Sequence, residues 1–138
     1  MMRKYSLALA LLPLASACTQ GAPVERQLSA RETAELAKAL EGKVAGQPVS
    51  CIPSYRNDAL RVIGNNTVLY RVNKDLVYKA DLQGGCNGLS AGDALVLNRT
   101  TSSQYCRGDM ARSVHLPTGM MSGACAFGDF VPYRTAGK

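Results

Sequence analysis

Thiol chemistry in this chain rests on five cysteines: Cys18, Cys51, Cys86, Cys106 and Cys125. A thiol can be acylated, oxidised to a disulfide or held as a metal thiolate, and spacing discriminates among these. Zinc sites favour close C-x₂₋₄-C pairs, whereas Cys51, Cys86, Cys106 and Cys125 are separated by roughly twenty residues or more. Four cysteines in an oxidising compartment read instead as two disulfides. Three pairings are open. We expect Cys86–Cys106, closing a Gly-rich loop onto the next strand, and Cys51–Cys125, tying the first strand of the domain to one near its end. By loop entropy each would add roughly 3–4 kcal/mol.

Other reactive groups are sparse. His115 is the only histidine. Ser113, two residues before it, would share its face on a strand, yet Ser113 stands in no G-x-S-x-G elbow and no acid stands clearly placed to orient the imidazole. Asp58, Asp75, Asp81, Asp93, Asp109 and Asp129 each lie in or beside a turn, where Asp serves backbone hydrogen bonding. Gly84-Gly85-Cys86-Asn87-Gly88 lacks the Lys-Ser/Thr of a phosphate loop and reads as a loop pinned by a disulfide. Arg107-Gly108-Asp109 spells an adhesion tripeptide, but beside Cys106 it reads as a turn. Tyr55, Tyr70, Tyr78, Tyr105 and Tyr133 offer rigid area with polar tips for a binding face, although Tyr70 and Tyr78 fit a cross-strand pair. Nothing calls for a cofactor or a metal.

The compartment is set by residues 1–17. Arg3 and Lys4 precede an apolar run from Tyr5 to Leu14, and Ala15-Ser16-Ala17 follows. That is the anatomy of a bacterial export signal. The run is far short of the ~20 residues that span a bilayer, and Pro13 breaks it. Ala15-Ser16-Ala17-Cys18 is also similar to a lipobox, with Ala15 where Leu is usual. Lipidation of Cys18 would account for an otherwise odd thiol on a tail, and Thr19 after it implies outer-membrane sorting. The expected location is the periplasm, anchored to the outer membrane; soluble release is the alternative.

The chain has sixteen basic and ten acidic residues. Arg3 and Lys4 leave with the signal, so fourteen basic residues face ten acidic ones, a net +4. Charges cancel between Glu25 and Lys43, placing the surplus after Val44. Scattered rather than clustered cations argue against nucleic acid; a mild positive charge on an exported protein reads first as solubility, with attraction to lipid head groups or acidic polymers of the envelope as the alternative.

These residues need a frame. Residues 18–28 read as a tether with Gly21 and Pro23. Residues 29–43 hold a helix, Ala30–Glu41: Ser29 and Glu32 form a capping box, Leu36 and Leu40 make a narrow stripe, and Gly42 stands at the C-cap. From residue 44 to 138 the period becomes two. Strands are expected at Val49–Ser54, Leu60–Ile63, Thr67–Val72, Leu76–Asp81 and Ala94–Asn98. Shorter candidates lie at Gln104–Cys106, Arg112–Leu116, Met120–Ala126 and Phe130–Tyr133. Turns are expected at Gly64-Asn65-Asn66, Asn73-Lys74-Asp75, Pro117-Thr118-Gly119 and Gly128-Asp129, with a long loop from Gln83 to Asp93. About six short strands after one helix predict a mainly β domain, a small antiparallel barrel or sandwich.

Pro48-Val49-Ser50-Cys51-Ile52, Thr67-Val68-Leu69-Tyr70, Leu82-Gln83-Gly84-Gly85-Cys86-Asn87-Gly88-Leu89, Tyr105-Cys106-Arg107-Gly108-Asp109 and the run Gly123 to Tyr133 resemble a family of small exported proteins of unknown function. That family is common in alphaproteobacteria, notably sphingomonads. The resemblance covers roughly Val44 to Arg134 and leaves the helix outside. It implies an envelope location and paired cysteines, and no activity. The function expected is a non-enzymatic binding or structural module for an envelope protein or an anionic envelope component. The alternative is a small envelope hydrolase or an inhibitor of an envelope enzyme.

Overall fold

A computed structural model describes residues 27–54, 60–98 and 103–137. The expected signal, Cys18 and the tether up to residue 26 lie outside the described residues, as do Tyr55 and Asp58. Among the described residues the fold is mainly β, one α-helix followed by nine strands and a short 3-10 turn at Leu89–Ala91, with the larger sheet curled into an antiparallel half-barrel.

The helix α1 (Ala30–Ala39) starts at the expected box: the Ser29 hydroxyl accepts from the Glu32 amide, and the Glu32 carboxylate accepts from the Ser29 amide. It ends as Gly42 takes φ +70°, a conformation that costs a residue without a Cβ least. The chain then runs through β1 (Lys43–Ala45), β2 (Cys51–Pro53), β3 (Leu60–Ile63), β4 (Thr67–Arg71), β5 (Leu76–Gly85), β6 (Ala94–Asn98), β7 (Gln104–Cys106), β8 (Met110–His115) and β9 (Met120–Thr135).

Strand β9 is the spine. One edge pairs with β5 from Leu76↔Arg134 to Gly85↔Ala124. The other edge is shared: β8 takes the first half, Val49 pairs with Phe130, and β1 takes the end. Strands β4 and β3 extend the sheet beyond β5, and β6 extends it beyond β8. The concave face holds the main core, including Val68, Tyr70, Leu82, Phe127 and Phe130. The two-stranded β2–β7 ribbon lays Ile52 and Tyr105 into it, with Tyr105 edge-on to Tyr70 at 5.6 Å.

On the other face, Leu36 and Ala39 of α1 and Leu40 at its C-cap cover Ile63, Leu69 and Val77. Strand β4 is therefore buried on both faces from Thr67 to Tyr70. Its two apolar sets serve different layers: Val68 and Tyr70 face the main core, and Leu69 faces the helix. Burying Leu69 stabilises this join by about 1.5–3 kcal/mol.

The structure corrects three expectations. Gly128-Asp129 is not a turn. Strand β9 continues through it, and the pair stands opposite Asp81 alone, making a bulge. The expected loop from Gln83 begins later, because β5 continues through Gly84 and Gly85 alongside β9. There the glycines permit close approach: a Cβ on Gly123 would sit 1.9 Å from the Gly85 carbonyl oxygen.

The cysteine pairing is also different. Two disulfides form, but they are Cys51–Cys106 and Cys86–Cys125. The β2–β7 register puts Cys51 directly opposite Cys106. With β5 extended to Gly85, Cys86 emerges beside Cys125, whose ladder partner is Gly84. The expected pairs Cys86–Cys106 and Cys51–Cys125 assumed a loop where the chain makes a strand.

Candidate functional site

The side chains read from the sequence as catalytic candidates are dispersed. His115 ends β8, and its Nδ1 lies 3.0 Å from the Thr118 hydroxyl in the following turn. Ser113 is fully buried, and its hydroxyl meets Ser122 Oγ at 2.9 Å rather than the imidazole. Ser122 is the extra residue of a second bulge, between the pairs Ser113↔Gly123 and Val114↔Met121. Its hydroxyl donates to Asp93, the only charged acceptor beside it.

The remaining described aspartates hold local structure. Asp75 accepts from Thr135, Asp81 from Thr67 and Lys79, and Asp109 from the Cys106 amide, while Asp129 pairs with Arg107. Asp109 is 3 % exposed, so the Arg107-Gly108-Asp109 turn does not present its carboxylate. Among the described residues no three His, Cys, Asp or Glu side chains converge to hold a metal ion. Of the described tyrosines, Tyr70 and Tyr105 are core residues, and Tyr78, the cross-strand partner of Tyr70, packs against the same core.

What the fold does assemble is a basic cleft of 590 Å³ where α1 meets the outer face of β3, β4 and β5. Its size falls in the range of ligand sites, about 300–1,000 Å³. The helix side contributes Lys38 from the last turn of α1 and Lys43 from the start of β1. The sheet side contributes Arg61 of β3, Arg71 of β4 and Lys74 of the β4–β5 turn. That turn is fixed by Asn73, whose side-chain oxygen accepts from the amides of Asp75 and Leu76. Arg61 and Arg71 face outward because Leu69, two residues before Arg71 and opposite Arg61, points toward the helix.

Only one of these five cations is matched inside the cluster: Arg61 pairs with Glu35 of α1. Lys38, Lys43, Arg71 and Lys74 make no ion pair among the described residues. The apolar groups beneath the cations are Ala39 with Leu69 and Val77, the last two buried under α1, while Leu60 and Val72 at the cleft's edge pack against the main core. Cations flanking low-dielectric side chains focus a positive potential into the cleft.

The sequence supplied the charges but not their convergence. Counting along the chain, the helix segment is neutral and the rest is scattered. Helix packing brings Lys38 and Lys43 to the sheet cations while committing Glu35 to Arg61. The one signal available in advance was Arg71 followed closely by Lys74 at a tight turn.

Nothing matches the chain among curated proteins or among solved structures. A family model does match, over residues 1–129, and it takes in the helix that the resemblance from Val44 to Arg134 left outside. The chain belongs to that family, described as a Family of unknown function (DUF6491).

Proposed function

We propose that this is an exported cell-envelope protein that acts as a binding module rather than an enzyme, taking an anionic envelope component in the basic cleft. The observation that carries the reading is the set of four cations there, Lys38, Lys43, Arg71 and Lys74, with no carboxylate partner among the described residues. Two disulfides fit an oxidising, non-cytosolic compartment. The periplasm, with a lipid on Cys18 holding the protein at the outer membrane, completes the proposal. The hydrolase reading has no support of this kind, since His115 and Ser113 engage other partners.

Titration of the labelled protein with inorganic pyrophosphate, followed by NMR, tests the cleft. Shifts should cluster at the amides of Lys38, Lys43, Arg71 and Lys74, and the double variant Arg71→Glu/Lys74→Glu should lose them. Shifts elsewhere, or none, overturn the reading. The intact mass of membrane-extracted protein tests the anchor: an unmodified Cys18 would refute it.

A further inference from the structure

We propose that the tip of the β8–β9 hairpin inserts into the surface of a phospholipid membrane and sets the orientation of the protein on it. Of the reading above this uses only the envelope location, and it is independent of the basic cleft. The β5–β9 ladder ends at Gly85↔Ala124, and the β6–β8 ladder ends at Ala94↔Val114. Beyond those pairs no third strand lies beside β8 and β9 among the described residues, so the hairpin projects past the sheet. Its end carries Leu116, Met120 and Met121, which are 64–68 % exposed. The turn that presents them is fixed: the Thr118 and Gly119 amides donate to the His115 carbonyl, and the His115 ring lies against the Thr118 hydroxyl. The Ser122 bulge sets Met121 beside half-buried Val114 rather than on the face of buried Ser113. Three large apolar side chains held in water on a fixed arm mark a contact surface.

Two observations make a membrane the occupant. The first is charge. From Met110 to Gly128 the chain has no carboxylate, and Asp93 at the hairpin's base is taken up by Ser122. The one arginine of that stretch, Arg112, is exposed and makes no ion pair among the described residues. It lies about 10 Å behind His115 along β8. Interfacial segments bury their apolar face about 5–10 Å into the acyl boundary, a depth that brings this guanidinium to the phosphate layer.

The second is where the chain enters. Leu28, Ser29 and Glu32 share a hollow with Asn65 and Ser90, and the Ser90 amide donates to the Asn65 side chain. Just past the Leu89–Ala91 turn, Asp93 meets Ser122. The described chain therefore begins at the end of the sheet from which the hairpin projects. Residues 18–26 span at most about 30 Å, so a lipid on Cys18 and the hairpin tip can meet one bilayer. The basic cleft, with Lys74 next to the pair Leu76↔Arg134, lies at the other end of β9 and faces away from that bilayer.

The chain has no tryptophan, so a single one reports its own surroundings. The mature chain from residue 18 is coupled through the Cys18 thiol to maleimide-bearing vesicles of phosphatidylethanolamine and phosphatidylglycerol, which supplies an anchor whatever the natural one is. The emission of Leu116→Trp should shift to the blue and be quenched by lipids brominated on the acyl chain. Val44→Trp, an exposed site opposite Arg134 at the far end, should do neither. Adding Met120→Ser/Met121→Ser should weaken insertion of Leu116→Trp at least about tenfold. Adding Arg112→Gln should weaken it about fivefold on these vesicles and leave it unchanged on phosphatidylcholine.

An unshifted Leu116→Trp overturns the inference, and so does an equal shift of Val44→Trp. A shift of Leu116→Trp that grows with protein concentration in the absence of vesicles also overturns it, and makes a second copy of the chain the occupant. All the changes are at exposed positions, and the comparison of the two tryptophan probes suffices even where an added variant does not fold. None of these results bears on the natural lipid at Cys18, which intact mass decides, or on the cleft, which pyrophosphate decides.

Discussion

Phe127 and Phe130 lie three residues apart on one strand, yet both point into the same core, with ring centroids 5.5 Å apart. Regular alternation would send them to opposite faces. The bulge at Gly128-Asp129 inserts the extra residue that turns both inward, since Ala80 pairs with Phe130 and Leu82 with Phe127. A Cβ on Gly128 would sit 2.8 Å from the Asp81 carbonyl oxygen, a backbone atom that cannot swing away. Gly128→Ala should therefore destabilise the protein by about 1–3 kcal/mol, read as a lower urea midpoint. An unchanged midpoint would mean the bulge tolerates a side chain.

The two disulfides differ in access. Cys86 and Cys125 are 2 % and 3 % exposed, whereas Cys51 is exposed on the short β2–β7 ribbon. Reduction requires a thiolate to reach sulfur, so mild reductant without denaturant should open Cys51–Cys106 first. Timed alkylation and peptide mapping check this. Simultaneous labelling of all four thiols would contradict it. The same map tests the connectivity, and each bridge closes a long enough loop to contribute about 4 kcal/mol by chain entropy.

Local signals were legible where they act locally. The Ser29/Glu32 box, the Asn73 turn and the alternation of Thr67–Val72 against Leu76–Asp81 need only neighbouring residues to be read. Gly84, Gly123 and Gly128 were not legible, because their role is to let another strand's backbone come close, and that strand is remote in sequence. The disulfide connectivity failed for the same reason: it depends on β5 lying beside β9. The cleft shares this property. Its five cations come from α1, β1, β3, β4 and a turn, so only the docked helix makes them one group.

Capping should give the helix a mild acid sensitivity. The amide of Ser29, and then its hydroxyl, hold the Glu32 carboxyl below its ordinary pKa. A group with a depressed folded pKa adds stability above its unfolded pKa, and that stability is lost as pH falls through the folded value. The contribution of Glu32 should thus be full at neutral pH and fade as the medium enters and passes below the ordinary carboxylate range. Comparing wild type with Glu32→Gln by thermal melts across that range should show the two curves converging at low pH. Separately, Ser29→Ala should cost about 1 kcal/mol at neutral pH.

Glu35 offers a test in which removing a residue strengthens binding. Its carboxylate pairs with Arg61, whose side chain is 61 % exposed, so the pair is worth about 0–1 kcal/mol to stability. Its larger effect is on the cleft, where it is the one negative group paired to a lining cation among the described residues. Glu35→Gln frees Arg61 and raises the local potential. Pyrophosphate affinity should rise about two- to fivefold at low salt, and the gain should shrink at high salt as screening shortens the reach of the charge. Arg61→Gln should lower affinity by a similar factor, and neither change should move the melting temperature by more than a few degrees. Calorimetric titration of both variants at two salt concentrations settles the direction. A weaker-binding Glu35→Gln would mean that the ion pair positions Arg61 for the ligand rather than competing with it.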